Sequence, residues 1–313
     1  MLTKLFKAAP AVIIIAALAL MLFIGRNFLD EKLPVIGQNY YKDFKSSADL
    51  EYKYSQKGPH AVKDYTMESG SDKVGEIGVW YPGDMQGEKA PMILVVNPSK
   101  VAQHKYKAFF ERLASWGFVV VGNEDPQTGN GESASLTLDA MMNLVDTHPL
   151  REVIDYDRIG IIGYSQGGAG ALAAATEYEN GSAYKAIFAG SPVCPEVGKD
   201  YGWTYDLSKI TVPCFMAAGT GDSDSGNDAE DVTGVAPLTF LMDSYDLMDD
   251  SVDKITGRIV GAEHADTLLR SDGYMTAWML YQLAGDQEAA KAFTGNGAEI
   301  LSNENWQDVQ KNN

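Results

Sequence analysis

The sequence predicts an α/β domain: a mostly parallel central sheet with helices on both faces, preceded by one N-terminal hydrophobic anchor helix. Three observations predict it. Short apolar runs alternate with amphipathic segments over about 230 residues, the pattern of strands joined by covering helices. The runs at 92–96 and 212–218 are continuous rather than alternating, as expected of strands buried on both faces. At 159–175 an apolar run, a tight Gly-rich turn and a small-residue helix follow one another directly.

The N-terminus comes first. Lys4 and Lys7 precede residues 8–25, an uncharged apolar stretch of 18 residues closed by Arg26. That length and flanking charge fit a signal anchor with the lysines inside and the bulk of the chain outside. The alternative is a signal peptide cut near Ala17-Leu-Ala19, giving a secreted protein. Residues 1–26 are therefore read as anchor or signal peptide, 27–45 as a linker and 46–313 as the catalytic domain.

Within the domain, 51–54 and 61–65 have period-two character and suggest an early hairpin. A strand follows at 77–81, then the central strand at 92–96. Helical spacing of Phe109, Phe110, Leu113 and Trp116 predicts a helix over 107–116. Strands at 117–121, 159–162, 186–189, 212–218 and 254–260 alternate with helices at 136–145, 169–175, 237–247 and 265–283. A short helix and a tail end the chain, and 219–234 reads as a loop rich in Gly, Ser and Asp.

Composition limits the partners. The chain carries 43 acidic and 25 basic residues, a net charge of −18, so nucleic acid is repelled. Its two cysteines, Cys194 and Cys214, have no spacing that fixes a disulfide, and no Cys/His pattern resembles a metal site. No metal and no cofactor are expected.

The chemistry concentrates in Gly163-Tyr-Ser165-Gln-Gly167, a Gly-x-Ser-x-Gly turn between strand and helix. Such a turn strains the serine backbone and leaves its hydroxyl projecting from the strand end. A serine hydroxyl needs a base, and the base an orienting acid. Of His60, His104, His148 and His264, only His264 follows both Ser165 and a late strand. The acid belongs after strand 212–218. Asp222 is the first choice, three residues beyond Gly219; Asp224 fits only if Gly221 makes the turn, and Asp228 is more remote. The oxyanion that forms on the substrate needs two backbone N–H donors. Gln166, next to the nucleophile, supplies one; Lys100, with Ser99 as second choice, supplies the other from the loop after strand 92–96.

These residues resemble the α/β-hydrolase superfamily, whose triad follows the chain order Ser, Asp, His. Within it the chain is similar to bacterial cutinase-like and dienelactone-hydrolase-like esterases over about residues 75 to 295. The likeness rests on Leu94-Val-Val-Asn-Pro98, on Arg112-Leu-Ala-Ser-Trp-Gly-Phe-Val-Val120, and on Asp157 through Gly168. It extends to the Gly261-Ala-Glu-His264 box and to the segment from Ala277 to Phe293. The resemblance implies an α/β-hydrolase fold and a serine esterase acting on a small-molecule or lipid-like ester through an acyl-enzyme. It also implies a substrate pocket involving Ser99 and Trp203, the latter read equally as a loop anchor on the core. Where such esterases carry Gly and an aromatic after the proline, this chain has Ser99 and Lys100, and the paired C-terminal cysteines of secreted cutinases are missing. Polymer degradation is therefore not implied. A peptidase or thioesterase on the same scaffold, or a non-catalytic surface binding module, remains the alternative.

Overall fold

The computed structural model describes residues 34–313 except residues 86 and 226–233. The anchor or signal segment expected at 1–26 lies outside the described residues. Among the described residues no helix is long and apolar enough to cross a membrane.

Among the described residues, nine strands form one sheet in the order β1-β2-β4-β3-β5-β6-β7-β8-β9. They are β1 (Val62–Glu68), β2 (Glu76–Pro82), β3 (Ala90–Val96), β4 (Val119–Asn123) and β5 (Ile154–Tyr164). Then follow β6 (Tyr184–Gly190), β7 (Cys214–Gly219), β8 (Lys254–Ile259) and β9 (Trp306–Lys311). Strands β3 to β8 run parallel, while β1, β2 and β9 are antiparallel additions at the two edges. Side chains alternate across each strand, and both faces are covered. Ile93 and Val95 of β3 enter one apolar core, and Met92, Leu94 and Val96 enter the other. In β7, Phe215 and Ala217 divide from Cys214, Met216 and Ala218 in the same way. This double burial explains the continuous apolar runs. Both cysteines are buried as free thiols.

The principal helices are α1 (Asp49–Ser55), α2 (Lys107–Ala114), α3 (Glu132–Met142), α4 (Gln166–Thr176), α5 (Leu238–Leu247) and α6 (Asp272–Met279). Three expectations are corrected. Residues 49–55 are helical, not the first arm of a hairpin. Glu51, Tyr54 and Ser55 are buried, the i, i+3, i+4 spacing of one helix face, and β1 pairs with β2 instead. The helix expected over 265–283 is broken into Thr267–Arg270, α6 and a π-turn at Leu280–Ala284. The residues expected as a terminal tail form β9 against β8. Only Trp306 of β9 is buried, so its polar sequence carries no strand pattern, yet Trp306 donates through Nε1 to Glu51 at 2.5 Å and ties β9 to α1.

The segment expected as a linker, as far as it is described, packs on the domain: Ile36 is buried and the Tyr40 hydroxyl donates to Asp272 at 2.7 Å.

Candidate active site

Ser165 leaves β5 and immediately precedes α4. Its backbone has φ 58° and ψ −127°, a conformation that costs of the order of 1–3 kcal/mol in a non-glycine residue and persists only where packing dictates it. The packing is explicit. A Cβ at Gly163 would lie 2.0 Å from the Gly167 carbonyl oxygen, and one at Gly167 would lie 2.2 Å from that of Val96. The Ser165 N–H donates to Gly190 at 2.9 Å, and its carbonyl accepts from Gly168 at 2.9 Å. The turn is thus clamped between β6 and the start of α4.

The parallel sheet brings the carboxyl ends of β5, β6, β7 and β8 side by side. His264, in the loop after β8, places Nε2 2.8 Å from Ser165 Oγ. Its Nδ1 lies 3.0 Å from Asp224 Oδ1. The partner of His264 is therefore Asp224 and not Asp222. After Gly219 the chain turns helical over Asp222–Ser225, with the Gly221 carbonyl accepting from the N–H groups of Asp224 and Ser225. Residues two apart in a helical turn are about 200° apart around the axis, so only one of the two carboxylates can face the histidine. Asp224 is fully buried and Asp222 is exposed. Asp228 lies outside the described residues.

Asp224 is held on its other oxygen by two donors. Ser191 Oγ, just after β6, donates to Oδ2 at 2.6 Å, and the Gly219 N–H donates at 2.5 Å. Thr267 Oγ1 sits 2.9 Å from Ser191 Oγ and donates to the His264 carbonyl at 2.7 Å. Ser191 carries no mark in the sequence beyond a position just past a strand end, shared by many residues with no role.

The loop after β3 is fixed by Asn97, which is fully buried. Its Nδ2 donates to the carbonyls of Asn123 at 2.8 Å and Asp125 at 2.9 Å, and its Oδ1 accepts from the Tyr106 hydroxyl at 2.6 Å. Beyond it, the Lys100 N–H points at the Pro126 carbonyl, 3.4 Å away, with Lys100 itself at φ 61°. The Lys100 N–H is thereby directed at a carbonyl, and Pro98, Ser99 and Val101, but not Lys100, border the cavity. Gln166 begins α4, where helix geometry leaves its N–H without an intrahelical acceptor. Its side chain bonds the Pro126 carbonyl at 3.0 Å, so α4 and the loops after β3 and β4 share one anchor.

A cavity of about 430 Å³ opens at Ser165 and His264. Its walls are mainly apolar: Val35, Ile36, Val101, Tyr164, Leu268 and Leu269 are among them. Trp203 is not. It stacks on Tyr201 with ring centroids 4.8 Å apart and covers Gly129, where a Cβ would meet the indole at 2.4 Å. The half-buried indole thus packs over the loop that carries Gly129. Among the described residues no group of three or more His, Cys, Asp or Glu side chains is placed to hold a metal ion.

A family model described as PET hydrolase-like matches residues 46–298. The chain belongs to the PET hydrolase-like family. This family places it in the α/β-hydrolase superfamily, on the cutinase-like esterase branch, and the sheet order and strand-end site fit that membership. The chain is also similar to Lipase 1 of Moraxella sp. (strain TA144), 31% identical over 174 residues. That match covers 54% of this chain and spans about half, 53%, of the lipase. Both comparisons belong to ester-cleaving hydrolases.

Proposed function

We propose that this PET hydrolase-like protein is a serine esterase that cleaves carboxylic esters through an acyl-enzyme. One observation carries the reading: Ser165, His264 and Asp224 form a continuous hydrogen-bonded line at the floor of an apolar cavity. With Nδ1–H given to buried Asp224, His264 presents the Nε2 lone pair to the serine hydroxyl. Ser165 Oγ attacks the ester carbonyl while His264 takes its proton. The oxyanion is stabilised by the Gln166 N–H at the start of α4 and by the Ser99 N–H across the cavity, aided by the positive end of the helix. His264 returns the proton to the leaving alcohol as the tetrahedral intermediate collapses to an acyl-serine. Water then attacks the acyl carbonyl as His264 takes its proton, and His264 returns that proton to Ser165 Oγ as the acyl–Oγ bond breaks and the carboxylic acid leaves.

The apolar walls favour an aliphatic acyl group over a peptide, whose amide groups would lose water without finding partners there. On location, the proposal is an extracytoplasmic enzyme held at the cell membrane by residues 1–26 or released after their cleavage, which rests on the apolar stretch and its flanking lysines. Membrane fractionation and the N-terminal residue of the mature protein test it.

The activity is tested with nitrophenyl esters of graded chain length and a fluorophosphonate probe. Hydrolysis is expected together with a single adduct on Ser165, both lost in Ser165→Ala, with turnover down by about 10³-fold or more. Labelling and hydrolysis that persist in Ser165→Ala would overturn the assignment.

A further inference from the structure

We infer that residues 34–40 form a fixed strap whose Val35 and Ile36 side chains close one wall of the acyl cavity and set the length of acyl chain accepted. This rests on the esterase reading above. The family match begins at residue 46, yet Val35 and Ile36, eleven and ten residues before it, border the same cavity as Ser165 and His264. Part of the substrate wall is therefore supplied from outside the family's shared region.

The strap is built into the fold at successive points. The Val35 N–H donates to the Lys105 carbonyl at 2.8 Å, beyond the Ser99 loop. Gln38 Nε2 bonds the Glu111 carboxylate on α2. The Tyr40 hydroxyl donates to Asp272 Oδ2 at 2.7 Å and accepts from Arg112 Nε at 2.9 Å. Arg112 and Asp272 are each 1% exposed, and Arg112 also donates to the Tyr54 carbonyl and Thr276 Oγ1. A charged network this deeply buried and this fully bonded resists rearrangement, because separating Arg112 from Asp272 leaves an unpaired charge in the interior. The segment that carries Ile36 is pinned on both sides of it.

Ile36 itself is 7% exposed and joins the core cluster on which Val101, Leu268 and Leu269 pack, all three of which border the cavity. It is the buried part of the wall. Val35 is 57% exposed and stands at the rim. A side chain that meets the far end of a substrate discriminates by size: a single methylene in an apolar pocket changes relative rates by about 10-fold or more. Trimming Ile36 lengthens the cavity; enlarging Val35 narrows its mouth.

The test is the ratio of kcat/KM for nitrophenyl dodecanoate to that for nitrophenyl butyrate in the full chain, with active sites titrated by fluorophosphonate. Ile36→Ala is expected to raise the ratio about tenfold, and Val35→Trp to lower it by a similar factor. Val35→Trp keeps the test decisive if Ile36→Ala fails to fold, since Val35 is at the surface. Both ratios staying within about twofold of the parent would overturn the strap assignment while leaving the esterase reading intact. A second arm is independent of turnover. Decanoate binding to Ser165→Ala, measured by calorimetry, is expected to weaken about tenfold when Val35→Trp is added, and unchanged binding would equally overturn the assignment. A parent protein that neither hydrolyses esters nor takes the fluorophosphonate strikes the esterase reading itself.

Discussion

His264 Nδ1 lies 3.0 Å from a carboxylate oxygen of Asp224, while Asp222, two residues earlier in the same helical turn, is exposed to solvent. The two residues share a loop and a charge and lie three and five residues beyond the strand end. What separates them is burial and the two further bonds that Ser191 and Gly219 give to Asp224. These position the carboxylate before substrate arrives.

Asp224→Asn is therefore expected to preserve the fold, stabilise the wrong imidazole tautomer and lower turnover by about 10⁴-fold. Asp222→Asn is expected to cost less than about tenfold, since its carboxylate faces water. Steady-state rates of the two variants on one ester decide the matter; the reverse order would restore Asp222.

Ser191→Ala removes one donor from the buried Asp224 carboxylate without touching the cavity. A hydrogen bond to a charged group contributes about 1.5–3 kcal/mol, so kcat is expected to fall by about 10- to 100-fold with KM little changed. Ser191→Thr, which keeps a hydroxyl, is the rescue control. A change confined to KM would show that Ser191 acts on substrate binding instead.

Asn97→Ala strips partners from the carbonyls of Asn123 and Asp125 and from the Tyr106 hydroxyl, all in the interior. Each buried group left unpaired costs about 1–3 kcal/mol, so the midpoint of chemical denaturation should fall measurably. Because the Ser99 loop begins at Asn97, kcat should fall as well. A variant with parental stability would show that water replaces the amide.

Arg112→Ala leaves the Asp272 carboxylate buried without its cation. Burial already pushes the Asp272 carboxyl up to about 6, against the pull of Arg112. Loss of the guanidinium should destabilise the fold by about 3–5 kcal/mol and free the strap at Tyr40. Equilibrium unfolding reports the first effect, and increased proteolysis near residue 40 the second.

The sequence by itself pointed to Ser165 and His264 as the reacting pair and determined the architecture around them. Gly163-Tyr-Ser165-Gln-Gly167 lies between an apolar run and a small-residue helix, and only glycine at 163 and 167 avoids a backbone carbonyl. His264 follows the last parallel strand. Continuous apolar runs reveal strands covered on both faces, a one-dimensional pattern with one physical cause. The tertiary structure alone decided the rest. The choice between Asp222 and Asp224 depends on where one helical turn begins, which Gly221 and the packing of the loops after β7 and β8 settle together. Ser99 borders the cavity and Lys100 does not because the Lys100 N–H turns to the Pro126 carbonyl, 26 positions away in the chain. Trp203 covers Gly129 rather than the cavity. β9 is a strand because β8 offers it an edge, and Val35 and Ile36 reach the cavity because Arg112 and Asp272 hold Tyr40 from beneath. Each of these outcomes rests on a contact between residues far apart in sequence, and local patterns carry no record of such contacts.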